Sequence, residues 1–387
     1  MQRSHLEWPF FTPAQRALSQ QLGDWTAAHA ASLADEAGHP DEVTRRLAGE
    51  LGRAGWLRTL AREAWGGPSA EIESRNVCLI REALAYHSGI ADCVVAIQGL
   101  CSVPISLFGT PEQQRTYLPA ILSGDKCGSF ALSEAAAGSD VSALATSARE
   151  EGDGFVINGA KTWISHAPIA NHHIVFARTG PAPGAKGLSA FVVPADTPGV
   201  RITESLDIIA PHSIGSIAFE DCHIPLECLL GNIGDGFRIA MSTLDIFRAT
   251  VGAAALGMAR RALDETLAHA RQRVVFGQPL AGMQATQFRI ADMKTEVDTA
   301  ALLVYRAAWA KDCCDRRVTL ESAMAKMQAT ESAQRVIDAA VQLHGGLGVT
   351  VGSVVERLYR EIRPLRIYEG TTEIQKIIIS NQVLNQG

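Results

Sequence analysis

The run Phe155-Val156-Ile157-Asn158-Gly159-Ala160-Lys161-Thr162-Trp163-Ile164 decides the fold class, because it is a β-type segment between two helical parts of the chain. Its apolar residues flank an Asn-Gly pair, which supplies the positive φ angles of a two-residue hairpin turn. The sequence therefore predicts a β-hairpin that turns at Asn158 and Gly159. Similar runs between Gly- and Pro-rich turns predict further antiparallel strands at 174–177, 188–193 and 216–219.

Helical periodicity marks both flanks of this β region. Before it, Thr110-Pro111 is typical of a helix N-terminus. After it, one helical face of the segment 284–312 carries Ile290, Met293, Val297, Ala301, Val304 and Ala308. We therefore expect an α+β protein with an N-terminal helical domain at 1–125, a middle antiparallel β domain at 126–236 and a C-terminal four-helix-bundle-like domain at 237–387.

Composition bounds the class of protein. The 387 residues are 47% hydrophobic and 20% charged, which is ordinary for a globular protein with a large core. A net charge of −6 gives no general attraction to nucleic acid or to anionic lipid. The N-terminus is polar, and we expect no apolar stretch that is long enough to span a bilayer. The sequence therefore predicts a cytoplasmic protein that binds neither nucleic acid nor a membrane.

The eight cysteines are scattered and form no C-x-x-C pair. We expect them to be reduced and mostly buried. No His-Cys ligand spacing is present either, so no metal site is predicted.

Glu369 is a candidate general base. It precedes Gly370 and a predicted helix, for which Thr372 and Gln375 fit a capping box and 377–379 is an apolar run expected to enter the interior. An apolar surround disfavours the charged carboxylate and raises its pKa toward neutrality, which suits proton abstraction. The alternative is a solvated residue before a helix, because most glutamates are exposed.

Two segments of the β region can hold a planar, anionic ligand. In the first, 130–140, Ser133 can bond a heteroaromatic edge, while Gly138 and Ser139 can donate to a phosphate. In the second, Trp163 and Ser165 fall on one side of a strand, since side chains alternate. The alternatives are a plain strand with its loop and a core tryptophan.

Together these segments resemble the acyl-CoA dehydrogenase family over nearly the whole chain. The resemblance implies that Glu369 is the catalytic base, and it adds an arginine-led loop at 273–277 and a glycine-rich segment at 342–346 that reach the FAD of a neighbouring subunit. The implied FAD contacts are Phe130, Leu132, Ser133, Gly138, Ser139, Trp163, Ser165, Arg273, Phe276, Gln284, Gln342, Gly345, Gly346, Thr371 and Glu373.

The segment 244–248 resembles the family's helix that meets coenzyme A. The substrate contacts that the resemblance implies are Ser139, Asp245, Phe247, Arg248 and Gly370. One branch of the family carries its base one residue before the arginine, where this chain has Phe247. The resemblance therefore leaves the proton to Glu369 and makes Phe247 a candidate wall of the acyl pocket. A solvated helix face remains the alternative for Asp245 and Arg248.

Three departures from the family pattern limit what the resemblance implies. Ala135 replaces a common proline, which is expected to loosen a turn without affecting cofactor binding. His166 replaces a common asparagine and is expected to fill space rather than tune the flavin. The loop 211–215 lacks an arginine common in fatty-acyl members, so no straight-chain substrate is assigned.

The implied reaction is FAD-dependent α,β-dehydrogenation of an acyl-CoA thioester to the trans-2-enoyl-CoA. Glu369 takes the α-proton, and the β-hydride passes to flavin N5. The implied partners are the acyl-CoA, an electron-transferring flavoprotein as acceptor and three further copies of the chain in a homotetramer, a dimer of dimers. Three alternatives stay open: an oxygen-using acyl-CoA oxidase, an acyl-carrier-protein thioester dehydrogenase, and a helical adaptor that has lost catalysis.

Overall fold

The structure is a computed structural model that describes residues 4–180, 184–314 and 316–385. Its α-helices are α1 Pro13–Ala28, α2 Ala30–Ala34, α3 Pro40–Arg53, α4 Ser74–Ala85, α5 Gly89–Phe108, α6 Pro111–Leu122, α7 Gly236–Gln272, α8 Gln284–Cys313, α9 Thr319–His344, α10 Val354–Leu365 and α11 Thr372–Leu384. Its strands are β1 Gly128–Ala131, β2 Ser147–Glu151, β3 Gly154–Ser165, β4 His172–Arg178, β5 Leu188–Pro194, β6 Val200–Ser205, β7 Ile214–Pro225, β8 Leu229–Leu230, β9 Val274–Val275 and β10 Gln278–Pro279. The order of helices, sheet and helices confirms the predicted α+β class.

The chain divides into two compact units. Within the described ranges, the first unit comprises 4–35, 73–92 and 245–385, and the second comprises 36–72 and 93–244. The first unit is mainly helical, and the second carries the large sheet. The domain limits at 125 and 236 remain a prediction.

The helical unit is built around small residues that let its helices approach closely. A Cβ added to Gly257 of α7 would lie 2.1 Å from the Glu82 carbonyl oxygen of α4, and one added to Gly252 would lie 2.8 Å from a methyl of Val304 on α8. Five of the six residues predicted for the apolar face of α8 are buried, and Ile290 is partly exposed. Each fully buried Met or Val side chain contributes about 1.5–3 kcal/mol to folding.

The sheet unit contains strands in the order β6-β7-β3-β2-β4-β5-β8, with β1 beside β4. Most pairs are antiparallel, as predicted, but β4 pairs in parallel with β1 and with one residue of β2. Apolar side chains of β3, β5 and β7 form its core, among them Phe155, Phe191 and Phe219. The three further predicted strands are confirmed as parts of β4, β5 and β7.

The predicted hairpin turn is wrong in position. Asn158 and Gly159 lie inside the continuous strand β3, where the pairing with β7 shifts register. The Asn158 side chain accepts from the backbone N–H of Asp221 on β7, and a Cβ on Gly159 would meet Thr146 Oγ1 at 2.6 Å. The pair therefore forms a bulge, while the β2–β3 turn lies at Gly152 and Asp153.

Two helices contradict the expectation that no apolar stretch is long enough to span a bilayer. By length and composition α5 and α7 could both cross a membrane, with mean hydropathies of 1.8 and 1.3 over their most apolar windows. In each helix 83% of that window is buried inside the protein. Burial in the core explains their apolar composition.

Candidate active site

Glu369 lies in a strained turn between α10 and α11. Its φ is +53° and that of Gly370 is +92°, so two consecutive residues adopt left-handed backbone conformations. This conformation costs a residue with a side chain about 1–2 kcal/mol. Glu369 Oε2 is buried and accepts no hydrogen bond from any residue that the structure describes. The backbone N–H of Glu369 likewise donates to no described acceptor.

The positive charges around Glu369 oppose the effect of burial on the pKa of its carboxyl group. Burial raises the pKa of Glu369 above its ordinary value of 4.5, and the positive charges of Arg81, Lys326 and Arg248 oppose this rise. The negative charge of Asp92 adds to it. A buried carboxyl group with a raised pKa can exchange a proton near neutral pH, which is the property of a general acid or base.

Arg81 and Asp92 form a fully buried pair that sequence reasoning missed. Arg81 donates from Nε to Asp92 Oδ1 at 2.7 Å and from Nη2 to Asp92 Oδ2 at 2.9 Å, and its Nη1 donates to Thr250 Oγ1 at 2.9 Å. A charged side chain is almost never fully buried unless it is paired. An arginine in the apolar part of α4 was a signal for such a pair.

The helix after Glu369 begins one residue earlier than predicted. Thr371, not Thr372, is the N-cap, and its hydroxyl accepts from the backbone N–H of Ile374. Gln375 does not complete a capping box with Thr372, because its amide is directed to the carbonyls of Glu369 and Gly370. The expectation that 377–379 enters the interior is also wrong within this chain, since Ile377 is 53% exposed.

The predicted coenzyme A segment lies in α7. Phe247 is fully buried, and Arg248 donates to Asp245 at 2.5 Å. Burial raises the pKa of Asp245. Arg248 is buried and Asp245 is half-buried, so this ion pair is partly withdrawn from water, which argues against a fully solvated helix face. Gly370 lies next to Glu369, in the same helical unit as this pair.

The loop after β1 is held by a buried acid. Glu134 accepts from the backbone N–H groups of Ala145 and Thr146, at 2.7 and 2.9 Å, and from Lys161 Nζ at 2.8 Å. Two backbone hydrogen bonds between Glu134 and Ala137 close the turn that contains Ala135.

The residues of this loop that the resemblance assigned to FAD differ in exposure. Phe130 packs on Phe176 and Leu132 is buried, whereas Ser133 is half-buried, and Gly138 and Ser139 are exposed. A Cβ on Gly138 would meet no atom within 4 Å. The loop therefore leaves room for a ligand to approach its backbone.

The predicted second segment lies at the end of β3, where the pairing with β7 shifts register between Lys161 and Ile164. Trp163 is 55% exposed with a φ of +55°, Ile164 is buried, and Ser165 is half-buried. The backbone N–H of Thr162 donates to the Ser133 carbonyl at 3.1 Å, so this segment and the loop after β1 lie side by side. An exposed indole beside a hydroxyl is not a core tryptophan.

His212 orients the Ser165 hydroxyl, a role that sequence reasoning missed. His212 Nδ1 lies 3.0 Å from the Ala210 carbonyl oxygen, so this nitrogen carries the proton. Burial lowers the pKa of His212, and its neutral Nε2 therefore accepts from Ser165 Oγ at 3.1 Å. His166 is fully buried, and burial lowers its pKa to about 3; its packing role stays a prediction.

The remaining predicted FAD contacts lie on the surface of the helical unit. The rings of His269 and His344 stack 4.3 Å apart and bring the end of α7 beside the end of α9. The loop at 273–277 follows the end of α7, and the segment at 342–346 spans the end of α9. The exposed predicted residues there are Arg273, Phe276, Gln284, Gln342, Gly345 and Gly346, and Phe276 is 97% exposed. Thr371 is half-buried and Glu373 is exposed.

Comparison with known proteins defines the class. Family models for the N-terminal, middle and C-terminal domains of acyl-CoA dehydrogenases match residues 12–125, 129–222 and 234–384. The solved structure of butyryl-CoA dehydrogenase from Megasphaera elsdenii superposes with a TM-score of 0.89 at 33% identity, over 97% of this chain and 99% of the other.

Three curated relatives carry more specific names. The 3-(aryl)acrylate reductase of Clostridium sporogenes is 37% identical over 97% of this chain and 100% of its own length. The mitochondrial short-chain specific acyl-CoA dehydrogenase of Rattus norvegicus is 44% identical over 73% of this chain and 68% of its own. The caffeyl-CoA reductase-Etf complex subunit CarC of Acetobacterium woodii is 35% identical over 92% and 93%.

The chain belongs to the acyl-CoA dehydrogenase family. It is a flavin-dependent oxidoreductase whose cofactor is FAD. The exposed Trp163, the half-buried Ser133 and Ser165 and the open backbone at Gly138 fit a planar cofactor with phosphates.

Proposed function

We propose that the protein catalyses FAD-dependent α,β-dehydrogenation of an acyl-CoA thioester to the trans-2-enoyl-CoA, with Glu369 as the general base. The observation that carries this proposal is the buried, unpartnered Oε2 of Glu369 on a left-handed turn. Backbone strain of this kind persists only where the surrounding structure holds it, and it is concentrated at functional sites. No structural partner among the described residues accounts for this carboxylate.

Removal of an α-proton from a thioester also requires stabilisation of the charge that develops on the carbonyl oxygen. The backbone N–H of Glu369 donates to no described acceptor and is available for this role. One preorganised donor of this kind contributes about 10²-fold or more in rate.

Bound FAD supplies the hydride acceptor, and residues of this chain hold and orient it. Ser133, Gly138, Ser139, Trp163 and Ser165 form the contacts of the sheet unit. The exposed residues Arg273, Phe276, Gln284, Gln342, Gly345 and Gly346 of the helical unit serve the FAD of a neighbouring copy. That assignment explains why Phe276 is almost fully exposed in a single chain. We therefore expect an oligomer, a homotetramer built as a dimer of dimers.

The acyl-CoA is held by the Asp245 and Arg248 pair, with Phe247 as a wall of the acyl pocket. Electrons leave singly to an electron-transferring flavoprotein, in keeping with the relative named as a subunit of a reductase-Etf complex. We place the protein in the cytoplasm.

A second candidate is the reverse reaction, reduction of a 2-enoyl thioester. Two of the relatives reported above, which cover 97% and 92% of this chain, are named as a 3-(aryl)acrylate reductase and as a subunit of a caffeyl-CoA reductase-Etf complex. A buried carboxyl group with a raised pKa can also deliver a proton to the α-carbon. Anaerobic mixing separates the two directions. The same site can catalyse both half-reactions, so their rates are compared. Faster bleaching of the oxidised flavin by butyryl-CoA or 3-phenylpropanoyl-CoA than reoxidation of the reduced flavin by cinnamoyl-CoA would support a dehydrogenase, and the opposite order would support a reductase.

The substitution Glu369→Gln tests the proposed base. It keeps the size of the side chain and removes the base, so FAD should remain bound while flavin bleaching by the better acyl-CoA falls by about 10²–10⁴-fold. The matched control is Glu296→Gln, which removes a carboxylate from a partly exposed pair with Arg335. Bleaching at the wild-type rate in Glu369→Gln would refute the proposal.

The remaining alternatives have separate readouts. Hydrogen peroxide formed in air in proportion to substrate would identify an oxidase. Purified protein that stays colourless and cannot be reconstituted with FAD would identify a helical adaptor. Faster bleaching by acyl-carrier-protein thioesters than by acyl-CoA would identify a carrier-protein enzyme.

A further inference from the structure

Two fully buried side chains hold the turn that carries Glu369. Lys326 of α9 donates from Nζ to the Gly370 carbonyl oxygen at 2.8 Å. Gln375 of α11 donates from Nε2 to the carbonyl oxygens of Glu369 and Gly370, at 3.2 and 3.0 Å. Both carbonyls of the left-handed turn are therefore fixed by side chains from two different helices.

A lysine is an unusual choice for this position. Burial of an ammonium group is costly, and a neutral amide or hydroxyl would donate to the same carbonyl at a lower cost. Burial lowers the pKa of Lys326 to about 8, and the negative charge of Glu369 is the first of those that oppose this shift. At neutral pH the group is therefore an ammonium ion close to the base.

The other positive charges that act on Glu369 are already paired. Arg81 is bound by both oxygens of Asp92, and Arg248 donates to Asp245. The charged groups that act on Glu369 are Arg81, Lys326, Arg248 and Asp92. Those that act on Lys326 are Glu369, Glu331, Glu373 and Arg248.

The nearby carboxylates differ in their partners. Glu331 accepts from Arg366 and from Thr372, and Glu373 is exposed to water. Lys326, in contrast, donates to a neutral carbonyl. Its positive charge is therefore not cancelled by a directly bonded carboxylate, and Glu369, whose Oε2 is buried and unpartnered, is the acid that it can stabilise.

We propose that Lys326 is a positioning residue for the reaction: it anchors the turn through the Gly370 carbonyl, and its ammonium favours the ionised form of Glu369. This inference rests on the proposed role of Glu369 as the base. It gives a reason for a buried charge between α9 and the turn before α11.

The test is the titration of Glu369 with and without the ammonium. Infrared spectra of the purified FAD-loaded protein between pH 5 and pH 8 follow the carboxyl band that disappears in Glu369→Gln. In Lys326→Met and Lys326→Gln the midpoint of this band should rise by about one pH unit or more, as expected when a nearby opposite charge is removed. The acid limb of kcat for the better acyl-CoA should move with it, while KM stays within about twofold.

Two controls separate charge from anchoring. Lys294→Met removes a lysine from a partly exposed pair with Asp298 and should leave the midpoint unchanged. Gln375→Leu removes the neutral donor, so it should lower kcat at every pH without moving the limb. Lys326→Gln carries the test if Lys326→Met fails to fold.

An unshifted midpoint in a folded Lys326 variant would overturn the inference. The infrared titration needs no turnover, so it decides the role of Lys326 even if Glu369→Gln retains activity. Retained activity in Glu369→Gln would instead refute the proposed function.

Discussion

Two glutamates with buried carboxylate oxygens, one in each unit, have opposite environments. Glu134 accepts two backbone N–H groups and forms a direct ion pair with Lys161. These hydrogen bonds lower the pKa of Glu134 against the effect of burial. Glu369 has a lysine nearby as well, but Lys326 donates to a backbone carbonyl instead, and burial raises the pKa of Glu369.

The difference shows how one residue type serves structure in one place and chemistry in another. Hydrogen bonds to both oxygens of a carboxylate stabilise its charged form. Such a carboxylate does not readily take up a proton. A carboxylate with a buried, unpartnered oxygen remains reactive, and the fold must hold it in place by other contacts. Charge near an acid therefore does not identify its role, whereas the hydrogen-bond partners of the acid do.

The largest effect on stability is expected at Glu134. Glu134→Gln leaves the buried Lys161 ammonium without its carboxylate, which should reduce the free energy of unfolding by about 3–5 kcal/mol. Urea unfolding followed by circular dichroism measures this loss. The double variant Glu134→Gln with Lys161→Met removes both charges and should recover much of it. An equally unstable double variant would show that the ion pair is not the cause.

The next effect concerns the geometry of the turn. Gly370→Ala places a Cβ 2.6 Å from Gln375 Nε2 at a φ of +92° and should reduce kcat by about 10²-fold, because a displaced catalytic group loses its alignment. Gly352→Ala is the matched control. Gly352 has a φ of +94°, and an added Cβ would meet no atom within 4 Å.

Steady-state kinetics and thermal unfolding of both glycine variants distinguish strain from displacement. Each should lose about 1–2 kcal/mol of stability from the left-handed backbone, and Gly370→Ala should lose more because its Cβ displaces the Gln375 amide. Only Gly370→Ala should lose activity. Equal activity in the two variants would mean that the position of the Glu369 turn does not govern the reaction.

The smallest effect is the pH dependence of stability, which should have opposite signs for the two acids. The folded-state pKa of Glu369 lies above its unfolded value of 4.5, so the folded state loses stability as pH rises through the folded pKa. Glu369→Gln should therefore gain stability relative to wild type as pH increases.

Glu134 should behave in the opposite way. Its folded-state pKa lies below 4.5, so its contribution is present above that pH and is lost as pH falls through the folded pKa. The destabilisation of Glu134→Gln should therefore shrink in acid. Parallel pH profiles of the two variants, obtained by thermal unfolding, would contradict the contrast between the two sites.

Local signals in the sequence predicted much of the fold. Thr110 is the N-cap of α6 with Pro111 at the first helical position, as the Thr-Pro pair indicated. The turn predicted at Asn158 and Gly159 was wrong, because the residue that Asn158 pairs with, Asp221, lies 63 residues further along the chain. A turn signal within a strand cannot be told from a bulge without knowledge of that pairing.

The candidate site shows the same limit. The sequence indicated Glu369, Trp163 and Ser165, but not the residues that orient them. Lys326 is 44 residues from Gly370, and His212 is 47 residues from Ser165. Lys326 lies among alanines on the buried face of α9, and a lysine at such a position indicates a specific partner. His212 gave no signal beyond its departure from the family pattern.

Exchange of the α-proton tests the central claim most directly, because it requires the base but no net oxidation. Butyryl-CoA or 3-phenylpropanoyl-CoA, whichever bleaches the flavin faster, is incubated anaerobically in D2O with the FAD-loaded protein, and deuterium at C2 is followed by mass spectrometry. We predict steady incorporation with the wild type, and incorporation slower by about 10²–10⁴-fold with Glu369→Gln. Incorporation at equal rates would contradict the assignment of Glu369 as the base.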